Sequence, residues 1–237
     1  FPSSKNIAIF DTAFFHDLPL EVQVLPLPYK YFEKGIRRFG FHGLSHQYIS
    51  EEAAHQLGKP INQCNLITLH LGGGASVAAI RNGQPVDTSL GFTPIGGVPM
   101  FTRSGDVDPG ALLYICENYH LSLKELGEML NHDSGLKGIS GQKGFLQLLE
   151  GVEKHDHQSE LAFKVFTYEL RKQIGAYLAV LGNIDALVFS GTVGSGKPLT
   201  RETIIKDLNL PKGAKVLVIP TNEELEMARQ IKKLLSK

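Results

Sequence analysis

An α/β fold is what this chain of 237 residues predicts. Three features carry that reading. Short apolar runs read as strands (Leu66 to Leu71, Ser76 to Ile80, Asp185 to Ser190, Lys215 to Pro220). A long amphipathic stretch, Glu160 to Gly182, reads as a helix, with Leu161, Val165, Tyr168, Ile174, Tyr177, Leu178 and Leu181 as its stripe. A further helix closes the chain, with Leu225, Ala228, Ile231 and Leu235 on one face. Strands mixed with long helices pack as α/β layers.

The chain is organised around Leu66 to Ile80, LITLHLGGGASVAAI. A strand ends in Gly72, Gly73 and Gly74, a second strand comes directly after, and Arg81-Asn82-Gly83-Gln84 reads as a hairpin turn. Three glycines let phosphate oxygens approach backbone N–H groups that a Cβ would shield. A tight turn chosen only for geometry is the alternative, and both stay open at this point.

Length suits one large domain or about two small ones. Lys plus Arg and Asp plus Glu number 24 each, so no global field favours nucleic acid or an anionic membrane. No apolar run approaches the roughly 20 residues of a membrane span. Cys64 and Cys116 fit no metal spacing and read as reduced, buried thiols of a cytoplasmic protein. The chain starts at Phe1 with a strand-like run almost at once, which reads as a piece of something longer or one chain of a two-chain protein.

Ile7 to Phe10 reads as a strand ending at Asp11-Thr12. A carboxylate there suits α/β chemistry, or caps the segment just after it. Pro19, Pro26 and Pro28 predict an extended, irregular stretch. Arg37 to Gln47, RRFGFHGLSHQ, carries His42 and His46, with Ser45 predicted to cap a helix to Leu57. Val86 to Pro109 reads as a functional loop too irregular for core. In it, Arg103 offers a planar fork to a phosphate or carboxylate, or pairs with Asp106 or Asp108. Asp108 and Pro109 open a helix to about Tyr119, and Ser122 to Asn131 is a second helix. Ser134 to Gly144 reads as a glycine-rich loop, and Phe145 to Gly151 as a short helix. His155-Asp156-His157 reads as a solvated linker rather than a metal pair.

Gly191 to Lys197 fits G-x-x-x-x-G-K after a strand, which is P-loop context. Pro198 stands where a Mg²⁺-binding hydroxyl belongs, and it removes an N–H from the cradle. The motif fails at its chemical end.

Several motifs in order resemble the acetate kinase family, of the sugar-kinase, heat-shock-ATPase and actin-like superfamily. They are FDTAF (Phe10 to Phe14), RRFGFHGLSH (Arg37 to His46), HLGGGASV, VDTSLGFTP, TRSGDVDP and VIPTNEEL (Val218 to Leu225). The resemblance implies a ribonuclease-H-like (actin-like ATPase) domain, a mixed β-sheet flanked by helices, with catalysis in a cleft between two domains. It implies phosphoryl transfer between ATP and acetate, giving acetyl phosphate and ADP, with Mg²⁺. By the family pattern Arg103 and His42 stabilise the transferring group, and Asp11 and Glu223 help hold Mg²⁺. His70, Gly72, Gly73 and Gly74 contact phosphates, and Gly191, Thr192, Val193 and Gly194 lie near the nucleotide.

The resemblance covers the later part of a family member. It implies that residues 1–12 and 223–237 belong with an amino-terminal domain, on this or a second chain, and that residues 13–222 form the carboxyl-terminal kinase domain. That other domain supplies an asparagine, a substrate-binding arginine and another histidine. The apolar faces of Ile7 and Ile9, and of the last helix, then lack a partner in a lone chain. A homodimer is also implied. Departures cluster at the adenosine end: HLGNG reads HLGGG, GGIGEN reads GTVGSG, and the acid-x-arginine pair after Ser140 is absent. The alternatives are therefore another donor such as pyrophosphate, or a non-catalytic subunit binding phosphate ligands or a partner.

Overall fold

The computed structural model describes residues 4–236. Residues 1–3 and Lys237, the outermost parts of the two flanking segments, lie outside them. In order the elements are α1 (Leu20–Gln23), α2 (Lys30–Glu33), α3 (Gly43–Leu57), β1 (Leu66–Leu71), β2 (Ala75–Arg81) and β3 (Gln84–Thr88). Next come α4 (Pro109–Tyr119), α5 (Leu123–His132), α6 (Gly135–Ser140), α7 (Phe145–Glu153) and α8 (His157–Leu181). The chain ends with β4 (Ala186–Ser190), α9 (Gly191–Gly194), α10 (Pro198–Ile205), β5 (Lys215–Val218) and α11 (Glu223–Leu235).

The strands form a five-stranded mixed sheet in the order β3-β2-β1-β4-β5. β1, β2 and β3 are an antiparallel meander. The turn after β2 has Asn82 and Gly83 both at positive φ (51° and 75°), the twist a two-residue hairpin loop requires. β4 and β5 add in parallel beside β1, so a crossover must connect β3 to β4. α8 ends that crossover and lies on one sheet face.

Both faces of β1 and β4 are covered, which is why these strands read as continuous apolar runs. Ile67, Leu69 and Leu71 of β1 join Val77 and Ala79 of β2 on the face packed by Phe166, Leu170, Ile174 and Tyr177 of α8. The alternate positions face α3, where Leu66, Ala78 and Ile80 meet Ile49 and Ala53. Along this second face the side chains change character toward the glycine bend. Leu66 pairs with Ile80, then Thr68 with Ala78, then His70 with Ser76.

Several expectations are corrected. Ile7 to Phe10 is not a strand, because it has no ladder partner among the described residues; Phe10 is 67% exposed. The proline stretch holds two single-turn helices, α1 and α2, since Pro19 and Pro28 precede the turns instead of interrupting them. Gln84–Thr88 is a strand, and Leu90, Val98 and Met100 are core residues, so the segment after it is irregular in backbone yet packed in its apolar side chains. α6 occupies the supposed loop after Ser134. α8 starts earlier, at His157, with Asp156 accepting the Ser159 N–H, and His155 bonds Glu160. In its second half the predicted stripe holds, with Ile174, Tyr177 and Leu181 buried and Leu178 packed on the core; in its first half Leu161 and Tyr168 are exposed, and Ala162, Phe163, Phe166 and Leu170 are buried instead. Cys64 is buried and Cys116 only partly so, both as free thiols.

Other elements form as their signals dictate. Asp108 caps α4 by accepting the Gly110 N–H, and Ser122 with Glu125 makes a capping box on α5. α11 turns its polar side to α3: Arg229 pairs with Glu52 at 2.9 Å and Gln230 bonds Gln47. Its Leu225 and Leu235 are exposed, as are Val216 and Val218 on the edge strand β5. No described helix is long and apolar enough to cross a membrane.

Ile174 is fully buried where α8 meets the sheet. Truncation there removes a branched side chain from a close-packed layer, so Ile174→Ala should lower the unfolding free energy by about 2–5 kcal/mol, read from urea denaturation.

Candidate active site

The site begins at the amino terminus of α3. His42 sits at the N-cap with φ 57°, a left-handed conformation that costs energy for a residue with a Cβ. Asp11 holds it there. Its Oδ2 accepts the His42 N–H at 2.6 Å and its Oδ1 accepts the Leu44 N–H at 3.2 Å. The Gly43 N–H donates to the Asp11 carbonyl at 3.0 Å. A Cβ at Gly43 would lie 2.1 Å from that carbonyl oxygen, so only glycine permits the contact. Asp11 thus does cap a helix, but it is α3 and not the segment just after Asp11. An anion at a helix N-terminus also complements the dipole. The helix begins two residues before the predicted Ser45 cap, because Asp11 supplies from a distance what Ser45 would have supplied locally. The Ser45 hydroxyl instead bonds His70 Nδ1 at 2.8 Å.

Three histidines meet behind the glycine bend. His42 Nδ1 lies 2.8 Å from Ser76 Oγ, and His46 Nε2 lies 2.8 Å from the same oxygen. His46 Nδ1 is 2.7 Å from Thr68 Oγ1. His42 stacks on His70 with ring centroids 4.4 Å apart. Burial pushes His42 down to about 4, helped by the neighbouring Arg103 guanidinium. His70 is likewise lowered to about 4, mainly by burial and then by His42. His46, fully buried, is held well below the usual imidazole range by the same desolvation and by both other histidines. At neutral pH the cluster is uncharged, and it presents N–H groups instead of cations.

Arg103 provides the cation. Its Nη1 donates to the Pro94 carbonyl at 3.3 Å, which leaves most of the guanidinium fork uncommitted. Asp106 accepts the Gly97 N–H and Asp108 caps α4, and neither pairs with Arg103 among the described residues. A Cβ placed on Gly74 would lie 2.9 Å from His42 Nε2 and 3.5 Å from Arg103 Nη1. Gly74 therefore lets the His42 ring edge and the Arg103 guanidinium both close on the bend, where a Cβ would run into the imidazole.

Beside this bend lies a cleft of about 580 Å³. His42, His70, Gly72, Gly73, Gly191, Thr192 and residues 221–224 line it. Glu223 opens α11 and faces Asp11 closely enough that its carboxyl pKa is raised, first by burial and then by Asp11. Two carboxylates sharing a space without a cation suit Mg²⁺, which takes one or two carboxylates and fills its other positions with water and phosphate oxygens. No cluster of three or more His, Cys, Asp or Glu groups suited to a metal occurs among the described residues.

Of the residues singled out in the sequence, His42, His70, Gly72, Gly73, Gly191, Thr192 and Glu223 line the cleft, Arg103 and Gly74 adjoin His42 at its edge, and Asp11 stands behind His42, bonded to its N–H. Val193 and Gly194 do not join them. Val193 packs into the core, and Gly194 is buried against the Leu71 side chain. Alternate residues of the α9 turn point opposite ways, so the motif's glycines and its apolar residue cannot all border the cleft. Lys197 pairs with Glu153 at 3.1 Å, away from any phosphate position. Sequence reasoning missed Thr221, Asn222, Ser45, Ser76 and Thr68. Asn222 is the N-cap of α11, accepting the Leu225 N–H, and the Thr221 hydroxyl is buried with no partner among the described residues. The one available signal was position: Ser76 and Thr68 alternate with apolar residues on paired strands.

The profile of the Acetokinase family matches residues 1–216. The chain is 41% identical to the acetate kinase of Caldicellulosiruptor saccharolyticus, covering 100% of this chain and 66% of that protein. It is 44% identical to the acetate kinase of Helicobacter acinonychis, covering 100% of this chain and 65% of that one. Among solved structures, Porphyromonas gingivalis acetate kinase superposes with a TM-score of 0.92 at 37% identity, covering 96% of this chain and 63% of that one. A propionate kinase from Francisella tularensis gives 0.89 at 35% identity, covering 94% and 62%. The chain thus spans about two thirds of the length of these relatives. The actin-like ATPase fold expected from the sequence, a mixed sheet flanked by helices, is the fold observed.

Histidines whose folded pKa lies below the unfolded 6.5 bind fewer protons when folded than when unfolded. Between pH 6.5 and about 4 the unfolded state therefore gains protons first, and stability falls as pH falls. The melting temperature of this chain should start to drop below pH 6.5, above the carboxylate range, and His70→Gln should make that slope shallower. Thermal melts across the window read both.

Proposed function

This chain belongs to the acetokinase family, and from that premise we propose that it forms the carboxyl-terminal part of a phosphotransferase moving a phosphoryl group reversibly between ATP and acetate. The products are acetyl phosphate and ADP. The observation that carries the reading is the convergence of His42 Nε2 and Arg103 Nη1 over Gly74, beside the Asp11–Glu223 pair. Phosphoryl transfer asks a protein mainly to position two oxygens in line and to neutralise charge on the three equatorial oxygens. Arg103 brings a permanent positive charge with a planar donor fork. His42 brings a neutral N–H donor held by the α3 terminus. Donors fixed before the reaction need no reorganisation as charge develops.

Asp11 and Glu223 would hold Mg²⁺, and that ion would screen phosphate charge. Asp11 already accepts two backbone N–H groups, so it suits contact through water, whereas Glu223 is free to ligate directly. The backbone at Gly72 and Gly73, with His70, borders the phosphate end of the cleft. Gly191 and Thr192 border its nucleotide end.

We place residues 13–222 in the kinase domain, and assign the exposed apolar side chains of β5 and α11 to contact with an amino-terminal domain. That domain, on this or another chain, would supply the groups that bind the acetate carboxylate. A homodimer in the cytoplasm is the setting the family suggests.

A second reading concerns the donor. Thr192 stands where the family motif has glycine, and its Oγ1 lies 3.7 Å from the Cβ position of Gly72. It reaches over the glycine bend and narrows the nucleotide side, which favours a donor smaller than ATP, such as pyrophosphate.

Trapping acetyl phosphate as its hydroxamate tests both. The chain combined with the amino-terminal domain should form acetyl phosphate, and the chain alone should not. Formation from pyrophosphate but not ATP selects the second reading. Formation from neither leaves a subunit that binds phosphate ligands without turnover. In the active assembly Arg103→Ala should lower kcat at least about a hundredfold, the usual scale for losing a transition-state donor. An unchanged rate removes Arg103 from the mechanism.

A further inference from the structure

We propose that Thr68, His46 and Ser76 are positioning residues that hold His42 as its Nε2–H tautomer through a one-directional chain of hydrogen bonds. The chain runs from Thr68 Oγ1 to His46 Nδ1 at 2.7 Å, from His46 Nε2 to Ser76 Oγ at 2.8 Å, and from Ser76 Oγ to His42 Nδ1 at 2.8 Å. Thr68, His46 and Ser76 are each fully buried, so solvent does not complete any bond in it.

Direction comes from counting protons. A neutral imidazole has one donor nitrogen and one acceptor, and a hydroxyl donates once. Ser76 touches two ring nitrogens and carries one proton, so it either donates to one ring while accepting from the other, or accepts from both and leaves its own buried O–H without an acceptor among the described residues. The last arrangement strands a hydroxyl, which leaves two polarities to weigh. In the first, the Thr68 O–H donates to His46, His46 Nε2–H donates to Ser76, and the Ser76 O–H donates to His42 Nδ1. In the second every bond reverses, and the Thr68 hydroxyl proton must find another acceptor. Thr68 Oγ1 has no other hydrogen-bond partner among the described residues. The second polarity strands a buried O–H, whereas the first leaves only unused lone pairs, which costs far less. The first polarity therefore prevails.

Its consequence lies at the far end. With Nδ1 accepting from Ser76, the proton of neutral His42 sits on Nε2. That nitrogen lies at the glycine bend, 2.9 Å from where a Gly74 Cβ would stand, with Arg103 Nη1 3.5 Å from the same point, and His42 lines the cleft. The opposite tautomer would aim a lone pair at phosphoryl oxygens and repel them. Stacking on His70 keeps the ring in plane, but among the described residues His70 bonds only to Ser45 and plays no part in setting the tautomer. A relay of this kind accounts for the polar character of the sheet face toward α3 at Thr68, Ser76 and His70, near the bend.

The assignment rests on the proposed phosphotransfer only for its kinetic consequence, so two measurements are paired. Long-range ¹⁵N–¹H correlation spectra of this chain, labelled at histidine nitrogen and taken at about pH 7.5, a unit above the ordinary imidazole range, report which ring nitrogens carry protons. His42 and His46 should both show protonated Nε2 and bare Nδ1. Protonated Nδ1 on His42 overturns the proposal, and this arm requires no variant and no activity. In the active assembly, Ser76→Ala should lower kcat by about tenfold or more with nucleotide KM unchanged, the scale of losing a group that orients a working residue. Ser76→Thr, which keeps the hydroxyl, should recover most of it. A folded Ser76→Ala enzyme with wild-type kcat overturns the positioning role, even where the tautomer is as assigned. An inactive wild-type assembly with the expected spectrum instead counts against phosphotransfer and leaves the tautomer assignment standing.

Discussion

The Asp11 carboxylate, accepting two N–H groups at the start of α3, is the contact on which the site depends. Without it His42 has no reason to remain in a left-handed conformation, and α3 would begin elsewhere. The contact also ties a segment outside the sheet to the helix that covers it. The same carboxylate faces Glu223 at the start of α11, so one acidic group links three separate parts of the chain. Charge that caps a helix and charge that receives a cation are compatible uses of one side chain, because a carboxylate has about four acceptor positions.

The second constraint is the gradient along the sheet face toward α3. Pairing fixes which side chains stand opposite each other, and alternation sends every second one to this face. At the Leu66–Ile80 end they make core with Ile49 and Ala53. At the His70–Ser76 end they make a dry polar network. Dryness explains the electrostatics. Burial strips charge from His42, His46 and His70, and Arg103 alone remains a full cation at the glycine bend. The site is thus a single positive charge among neutral donors, facing a pair of carboxylates.

Legibility differed between elements for physical reasons. Strands β1, β2 and β4 could be read because burial on both faces demands apolar runs. The cap at Asp108 could be read because its partner lies within three residues, whereas Ser122, read as part of its helix, is the cap before it. Ile7 to Phe10 looked like a strand because composition reports fitness for a ladder and says nothing of a neighbour to pair with. The α8 stripe was misplaced in its first half because 25 residues of helix carry apolar side chains on more than one face, and packing selects among them. The core role of Leu90, Val98 and Met100 was hidden because glycine and proline around them signal an irregular backbone, which does not prevent burial of side chains.

By itself the sequence determined the strands β1, β2, β4 and β5, the helices α3, α4, α5, α7, α8 and α11, the glycine bend and the failure of the P-loop at Pro198. These depend on local chemistry: spacing, side-chain type and backbone freedom within a few positions. Tertiary structure alone decided that Asp11 caps α3, that Ser76 lies between two histidines, that Arg103 avoids Asp106 and Asp108, and that Val193 turns away into the core. Each is a relation between residues distant in the chain or a choice of direction. Only the packing of helix on sheet brings such groups within a few ångströms, and only that proximity gives them their charges and roles.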